Sequence, residues 1–282
     1  MIRTPLSASA LLLPASLMVV GLLCLPLLLM LRYSFNSFVP GQFMVEAVTA
    51  RNYVKFFSDP YYLAVLKTTV QMSLGVTVFC LVLGMPLAAT VAKASGRWKT
   101  ALLLAVILPL FVSNAVRAAG WMVAFGQKGL INHLLLSAGL IDAPLTMMYT
   151  PLAVFLGIAS VNLPYVVLTL QSVLEGIEPN AADASLSLGA TPFETWRLIT
   201  LPLAMPGILA AGVLSFILAM NAYATPVLLG GPSFQMMAPV VYNEVVNQNN
   251  WPFGATVSFV LMAVTLALTV VANLVVARRY AR

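Results

Sequence analysis

Long uncharged apolar runs divide this chain and restrict what it can fold into. Between Arg3 and Arg32 the sequence contains no Asp, Glu, Lys, Arg or His, and runs of this kind recur up to the last ten residues. A helix needs about 20 mainly apolar residues to cross the hydrocarbon core of a bilayer. Of the 282 residues, 61% are apolar and only 8% are charged, whereas about a quarter are charged in soluble domains. The sequence therefore predicts an all-α integral membrane protein.

The positions of the charged residues predict six transmembrane helices in a single domain, residues 1–282. The first occupies the run between Arg3 and Arg32. A signal peptide is the alternative for this run, but its apolar region would be shorter, about 7 to 15 residues. The other five predicted spans are 63–91, 100–125, 150–174, 203–229 and 253–277. Aromatic residues near position 60 favour an interfacial helix in segment 32–62, and "LINHLLL" predicts a short helix between the third and fourth spans.

The basic residues predict how the spans are oriented. Lys and Arg concentrate on the cytoplasmic side, above all close to the membrane, and both "KASGRWK" and "RRYAR" adjoin predicted spans. We therefore expect both termini to be cytoplasmic. That side then holds Arg3, Lys93, Arg97, Lys99, Arg197, Arg278, Arg279 and Arg282, and the other holds Arg32, Arg51, Lys55, Lys67, Arg117 and Lys128. Because the fourteen basic residues are scattered, the net charge of +6 does not predict nucleic-acid binding.

A polar stretch between the fourth and fifth spans predicts a rigid elbow of two short helices. Pro179 suits the first position of a helix, and Gly189 suits its end because glycine readily adopts positive φ. Thr191 and Glu194 have the spacing of a capping box, which starts a second helix. This helix is expected to end at the step from Leu201 to Pro202, since proline disfavours helical geometry in the preceding residue.

The elbow also resembles a known motif. The residues of "DASLSLGATPFETWRLITLP" follow the pattern D-A-S-x(3)-G-x(9)-I-x-L-P. This pattern is similar to the EAA loop of the permease subunits of binding-protein-dependent ABC importers, E-A-A-x(3)-G-x(9)-I-x-L-P. Two positions differ, since Asp183 stands in place of Glu and Ser185 in place of Ala. Segments such as "AVRAAGW", "LPYVVLTL" and "NWPFGA" extend the resemblance over nearly the whole chain, to the first permease of spermidine/putrescine-type importers.

This resemblance implies the type I ABC importer permease fold, with one leading helix plus a five-helix core, in the bacterial inner membrane. The implied partners are a second permease subunit, two ATPase subunits and an external substrate-binding protein. Segment 175–203 would be the cytoplasmic coupling loop that docks on the ATPase. The residues expected to form this docking site are Asp183, Ala184, Ser185, Gly189, Phe193, Glu194, Trp196, Ile199, Leu201 and Pro202. Without the resemblance, an elbow that merely closes the inner face of the bundle is an equal alternative.

Polar and aromatic residues in or beside the third to fifth spans are candidates for lining a translocation path. They are Asn114, Arg117, Trp121, Asn162, Tyr165, Asn221 and Tyr223. Arg117 has two open interpretations, a residue that faces the path or one that extends to the outer headgroups. All eight acidic residues lie outside the predicted spans, which argues against a proton-relay transporter. An ion-coupled secondary transporter and a membrane assembly factor remain the alternative functions.

No catalytic motif is present in the sequence. A glycine-rich loop ending in GK[ST] is absent, so we predict a non-enzymatic transport subunit without a cofactor of its own, while ATP and Mg²⁺ bind to the separate ATPase. Cys24 and Cys80 lie in apolar runs without metal-ligand spacing and are interpreted as packing residues. His133, the only histidine, is interpreted as a surface or packing residue.

Overall fold

The computed structural model describes residues 5–280, which are predominantly helical. The helices up to the middle of the chain are α1 (Pro5–Ser34), α2 (Arg51–Ser58), α3 (Pro60–Lys93), α4 (Gly96–Ile107), α5 (Asn114–Phe125) and α6 (Leu130–Ser137). Those that follow are α7 (Pro151–Glu175), α8 (Pro179–Ser187), α9 (Pro192–Thr195), α10 (Leu201–Met220), α11 (Met237–Tyr242) and α12 (Trp251–Tyr280). The helices predicted outside the spans are present as α2 and α6.

A short antiparallel hairpin follows α1 and was not predicted. Its strands are β1 (Ser37–Val39) and β2 (Phe43–Val45), and Ser37 pairs with Val45. Gly41 in the turn adopts a φ of +87°, a conformation that glycine reaches without a steric penalty. Three-residue strands are too short for an alternating pattern to be recognised in the sequence.

Five helical segments in the described part of the chain are long and apolar enough to cross a membrane. They are Ser16–Ser34, Pro60–Lys93, Pro151–Glu175, Pro192–Met220 and Trp251–Leu274. A sixth span is obtained when the bent pair Gly96–Phe111 and Asn114–Ser137 is counted as one. The predicted six-span organisation is therefore retained, with one span broken. Arg3 and Arg282, used above to orient the termini, lie outside the described residues.

The prediction of a continuous third span over residues 100–125 is wrong. The two halves of this span meet at an angle of 98°. After α4 the chain forms a 3-10 turn, Leu108–Phe111, and Val112 then becomes extended. Pro109 has no N–H to continue the helical ladder, and Ser113 begins the new helix by accepting a hydrogen bond from the N–H of Val116 at 3.3 Å.

The predicted boundaries of the fifth span are also wrong. The chain does not leave the helix at Leu201, because a π-helical turn, Trp196–Thr200, joins α9 directly to α10. In this wider turn the N–H of Leu201 donates to the oxygen of Trp196, five residues back, and α10 continues with Pro202 in its first turn. Because Pro202 has no N–H, the helix passes this position without the backbone hydrogen bond that another residue would donate there. The helix ends at Met220 rather than at residue 229.

The described residues form two compact units. One comprises the residues up to Leu63 together with Val240–Ala263. Within it the ring of Tyr62 lies 4.8 Å from that of Phe253, and the Thr256 hydroxyl donates to the oxygen of Ser34 at 3.3 Å. These contacts attach the start of α12 to the end of α1 and the start of α3.

The other unit comprises Ala64–Pro239 and the chain from Val264 onward. Its core is apolar and lies where α3, α7 and α10 pack together, and it includes Val76, Val154, Leu170 and Ala211. The packing of α10 on α7 is close, since a Cβ added to Gly207 would lie 2.5 Å from Cγ2 of Val173. Both candidate functional regions lie in this unit. The single domain expected from the sequence stays a prediction.

Candidate functional site

The first helix of the elbow ends in a Schellman motif at Gly189. The N–H of Gly189 donates to the oxygen of Leu186 at 3.0 Å, and the N–H of Ala190 donates to the oxygen of Ser185 at 3.2 Å. Gly189 has a φ of +91°, which a residue with a Cβ adopts only at a cost. The predicted role of this glycine in ending α8 is confirmed.

The second helix of the elbow begins with the predicted capping box. The Thr191 hydroxyl accepts a hydrogen bond from the N–H of Glu194 at 3.3 Å, and the Glu194 carboxylate accepts one from the N–H of Thr191 at 2.8 Å. The hydroxyl groups of Ser185 and Thr195 lie 3.1 Å apart and connect the two helices, and Thr195 is buried. Local capping and one cross-link therefore fix the angle of the elbow.

The elbow exposes large apolar side chains. Leu188 is 90% exposed, Phe193 is 66% exposed and Leu198 is 65% exposed; we call these three residues the elbow surface. The Phe193 ring stacks on Trp196 with centroids 6.1 Å apart. Leu188 and Leu198 were absent from the predicted docking residues, although an apolar residue in a polar loop indicates a contact site. Grouped apolar residues exposed to water mark sites of interaction.

The other predicted docking residues differ in exposure. Ser185, Ile199 and Leu201 are half-buried. Those on the surface are Asp183, Ala184, Gly189, Glu194, Trp196 and Pro202. The Glu194 carboxylate already caps α9, and its hydrogen bond to the Thr191 hydroxyl, at 2.8 Å, adds to this role.

An ion pair lies at the base of the elbow. Lys99 Nζ is 2.7 Å from Glu175 Oε1, which connects the first turn of α4 to the last residue of α7. Both side chains are about one-third exposed, so solvent screens the pair and we expect it to contribute little to stability. Its position matters more, because Glu175 is where the predicted coupling loop begins.

A cleft of about 330 Å³, lined by both apolar and polar residues, lies between α5, α7 and the end of α10. Its lining residues are Asn114, Ile158, Val161, Asn162, Ile217, Leu218, Asn221, Ala222, Tyr223, Ala224 and Thr225. Four of the seven predicted path residues are among them, namely Asn114, Asn162, Asn221 and Tyr223. The sequence prediction missed Thr225, which lies in the predicted fifth span, 203–229, but beyond the observed end of α10 at Met220.

Hydrogen bonds hold the walls of this cleft in place. The buried Asn162 amide donates from α7 to the oxygen and the hydroxyl of Ser215 on α10, at 2.9 and 3.2 Å. The Asn221 amide donates to the oxygen of Ile217 at 2.8 Å and closes the end of α10. The residues that line the cleft carry no formal charge. Their amide and hydroxyl groups can donate and accept hydrogen bonds to a polar solute, while the cleft itself contributes no fixed charge.

Three predicted path residues do not line the cleft. The Arg117 guanidinium donates to the backbone oxygens of Pro109, Val112 and Ser160. The Trp121 indole N–H donates to the Ser160 hydroxyl at 2.9 Å. Tyr165 lies farther along α7 and is partly exposed.

The residues with metal-binding or nucleophilic potential are dispersed. Within residues 5–280 no three His, Cys, Asp or Glu side chains come together in a group that could hold a metal ion. Cys24 is exposed, Cys80 is buried in the core, and both are free thiols. His133 lies exposed on α6, which agrees with its interpretation as a surface residue.

The apolar spans and the elbow between them form a fold that this chain shares with solved ABC importers. The fold is similar to a crystal structure of a bacterial ABC transporter involved in the import of the acidic polysaccharide alginate. The TM-score is 0.79 at 18% sequence identity, over 95% of this chain and 94% of that chain.

Residues 72–281 match the family described as "Binding-protein-dependent transport system inner membrane component", and the chain belongs to this family. It is 33% identical to the spermidine/putrescine transport system permease protein PotB of Haemophilus influenzae, over 90% of each chain. It is 34% identical to the protein of the same name from Escherichia coli K12, over 85% of this chain and 87% of that one. The chain is therefore a multi-pass permease of a binding-protein-dependent ABC importer, and this excludes the secondary-transporter and assembly-factor alternatives.

Proposed function

We propose that this chain forms half of the translocation path of an ATP-driven importer for polyamines or related small polar solutes. It pairs with a second permease and with two ATPase subunits, which bind ATP and Mg²⁺, and it receives the solute from an external binding protein. The chain itself catalyses no reaction. Both termini and the elbow face the cytoplasm, and the elbow docks on the ATPase.

The observation that carries this proposal is the elbow surface on a rigid support. Leu188, Phe193 and Leu198 are presented by a segment whose backbone is fixed by the Schellman motif and the capping box. Docking on a preorganised segment avoids the entropy cost of ordering it. Exposed aromatic and aliphatic side chains are the groups from which anchoring contacts are built. An elbow that only closed the bundle would not need to leave these side chains uncovered.

The continuous helix from the elbow into the membrane provides a mechanism for coupling. The helical segment Pro192–Met220 has 29 residues, and a helix of this length spans about 43 Å. It begins in the elbow at Pro192 and ends at the cleft, where Asn221 and Tyr223 follow it. When the ATPase pair closes on ATP, its displacement of the elbow is transmitted along this helix to the cleft. The π-helical turn at Trp196–Thr200 allows this because it carries the chain past Pro202 without a break.

The uncharged cleft supports a path that passes a cationic solute without retaining it. The amide oxygens of Asn114, Asn162 and Asn221 can accept hydrogen bonds from ammonium groups, and a tyrosine face attracts cations. Conduction requires binding that is favourable enough for entry and weak enough for release. The relatives named for spermidine and putrescine point to this class of solute, and the binding protein supplies most of the selectivity.

The proposal is tested with the complex purified from its native host and reconstituted with its binding protein. We expect the double variant Leu188→Ser and Phe193→Ser to lose the ATPase during purification and to lose ATP-dependent uptake of labelled spermidine. A matched control replaces by Ser the residues Leu134 and Leu140, which are also exposed but lie outside the elbow, and it should keep both the ATPase and the uptake. If the elbow variant retains the ATPase and transports normally, the docking proposal is refuted. If the unmodified complex takes up no polyamine, the proposed solute class is refuted.

A further inference from the structure

The arginine of the broken third span lies at the break itself. Arg117 is in the second turn of α5, and its N–H donates to the oxygen of Ser113 at 3.0 Å. Its side chain turns back, so that Nη2 donates to the oxygen of Pro109 and, at 3.1 Å, to the oxygen of Val112. Arg117 on the second half of the span therefore bonds the backbone that ends the first half.

These bonds address a structural problem created by the break. Where a helix ends, its last carbonyl groups have no intrahelical donor, and leaving such groups unpaired in a membrane costs free energy. The helix dipole also places partial negative charge at that end, which favours a cation. The N–H of Val112 already donates to the oxygen of Pro109 at 3.2 Å. Arg117 adds a second donor to this oxygen and one to the oxygen of Val112, and it brings a permanent positive charge to this end of the helix.

The same side chain also connects α5 to α7. Nη1 of Arg117 donates to the oxygen of Ser160 on α7 at 3.4 Å. One helical turn farther along α5, the Trp121 indole donates to the hydroxyl of Ser160 at 2.9 Å, and that hydroxyl donates to the oxygen of Gly157 at 2.7 Å. Positions four residues apart lie on one face of a helix. Ser160 therefore holds α5 at two successive turns.

The cleft depends on where this helix lies. Asn114, the first residue of α5, lines the cleft, and Asn162, two residues beyond Ser160 on α7, lines the facing wall. Arg117 lies one turn from Asn114 but is not part of the lining. Arg117 therefore belongs to α5, which carries Asn114, and bonds α7, which carries Asn162.

We propose that Arg117 is a positioning residue: it clamps the broken third span and thereby holds Asn114 at the cleft, without contacting the solute itself. This inference rests on the proposed transport function and assigns Arg117 a role distinct from both open interpretations of its sequence position. Lysine is a poor substitute, because one ammonium group cannot reproduce a fork that bonds the break through one nitrogen and α7 through the other.

A double-mutant cycle tests whether Arg117 acts through Asn114. The unmodified complex, Arg117→Lys, Asn114→Ala and the double variant are reconstituted with the binding protein, and the initial rate of labelled spermidine uptake is measured. We expect each single variant to lower this rate about tenfold, and the double variant to lower it by about the same factor, because the effects of residues that act through the same structural element are not additive. Arg97→Ala is the control, since Arg97 is exposed at the opposite end of α4, and it should transport as the unmodified complex does.

A second variant keeps the test decisive if Arg117→Lys does not assemble. Trp121→Phe removes the other bond to Ser160 but keeps a ring to stack on Phe125, whose centroid lies 4.8 Å from that of Trp121. We expect Trp121→Phe to lower uptake and to be non-additive with Asn114→Ala. The clamp is refuted if Arg117→Lys transports normally, or if the decreases multiply in the double variants. An unmodified complex that fails to import polyamine refutes the proposed solute instead, independently of Arg117.

Discussion

A substitution at Gly189 measures how much the shape of the elbow contributes to ATPase binding. Gly189 has a φ of +91°, and a Cβ added there would have no heavy atom within 4 Å. In Gly189→Ala the cost is therefore backbone strain alone, about 1–2 kcal/mol for a left-handed residue. This corresponds to a decrease of about 5- to 30-fold in the population of the elbow conformation relative to its alternatives.

The assay is the affinity of the permease pair for the isolated ATPase, measured in detergent together with polyamine uptake in vesicles. We expect Gly189→Ala to weaken ATPase binding by up to that factor and to lower uptake. Gly189→Asn should be milder, because asparagine tolerates this conformation better.

Gly139 provides a matched control for backbone strain. It follows α6 with a φ of +66° and open space around the Cβ position. Its N–H bonds the oxygen of Leu136 at 3.1 Å, and the N–H of Leu140 bonds that of Leu135 at 3.0 Å. This is the same Schellman motif outside the elbow, so Gly139→Ala should leave ATPase binding unchanged. The reasoning is refuted if Gly189→Ala binds the ATPase normally, or if Gly139→Ala weakens binding equally.

Substitutions at three further positions test the capping and packing of this unit. Glu194→Ala should destabilise the start of α9 and speed hydrogen exchange at the Thr191 amide, whereas Glu194→Gln should preserve the capping box; equal exchange in both variants would contradict this role. Gly207→Ala should lower stability by about 1–3 kcal/mol through overpacking, because its Cβ would lie 2.5 Å from Val173. Gly120→Ala, with no atom within 4 Å of the added Cβ, should stabilise α5 by about 0.5–1 kcal/mol. Thermal unfolding in detergent separates the two glycine variants, and an unfolding temperature for Gly207→Ala at or above the unmodified value would refute the packing argument.

The sequence predicted features that depend on residues close together in the chain. Gly189 closes its helix through bonds to residues three to five positions earlier, and Thr191 pairs with Glu194 three positions later. Such capping contacts form within one helical turn, so the spacing of residue types was sufficient to identify them. The apolar spans were equally recognisable, because a bilayer requires an uninterrupted apolar length.

Local rules failed where distant contacts or a rarer turn determined the backbone. Proline at 202 predicted a helix end, but a π-helical turn passes it without a break. Apolar residues beyond Met220 lengthened the fifth span in the prediction, although Asn221 ends the helix. The break at residues 112–113 was missed because a proline such as Pro109 is common in membrane helices and does not by itself indicate a change in direction.

The sequence by itself determined that the chain crosses a membrane, how its elbow is capped and, through the EAA-like pattern, the family to which it belongs. Only the tertiary structure decided which polar residues share a cleft. Asn162 reaches Ser215 across 53 residues, and Arg117 reaches Ser160 across 43. Hydrogen bonds between such distant positions form only after the helices have packed, and no periodicity in the sequence records which side chains will then face one another.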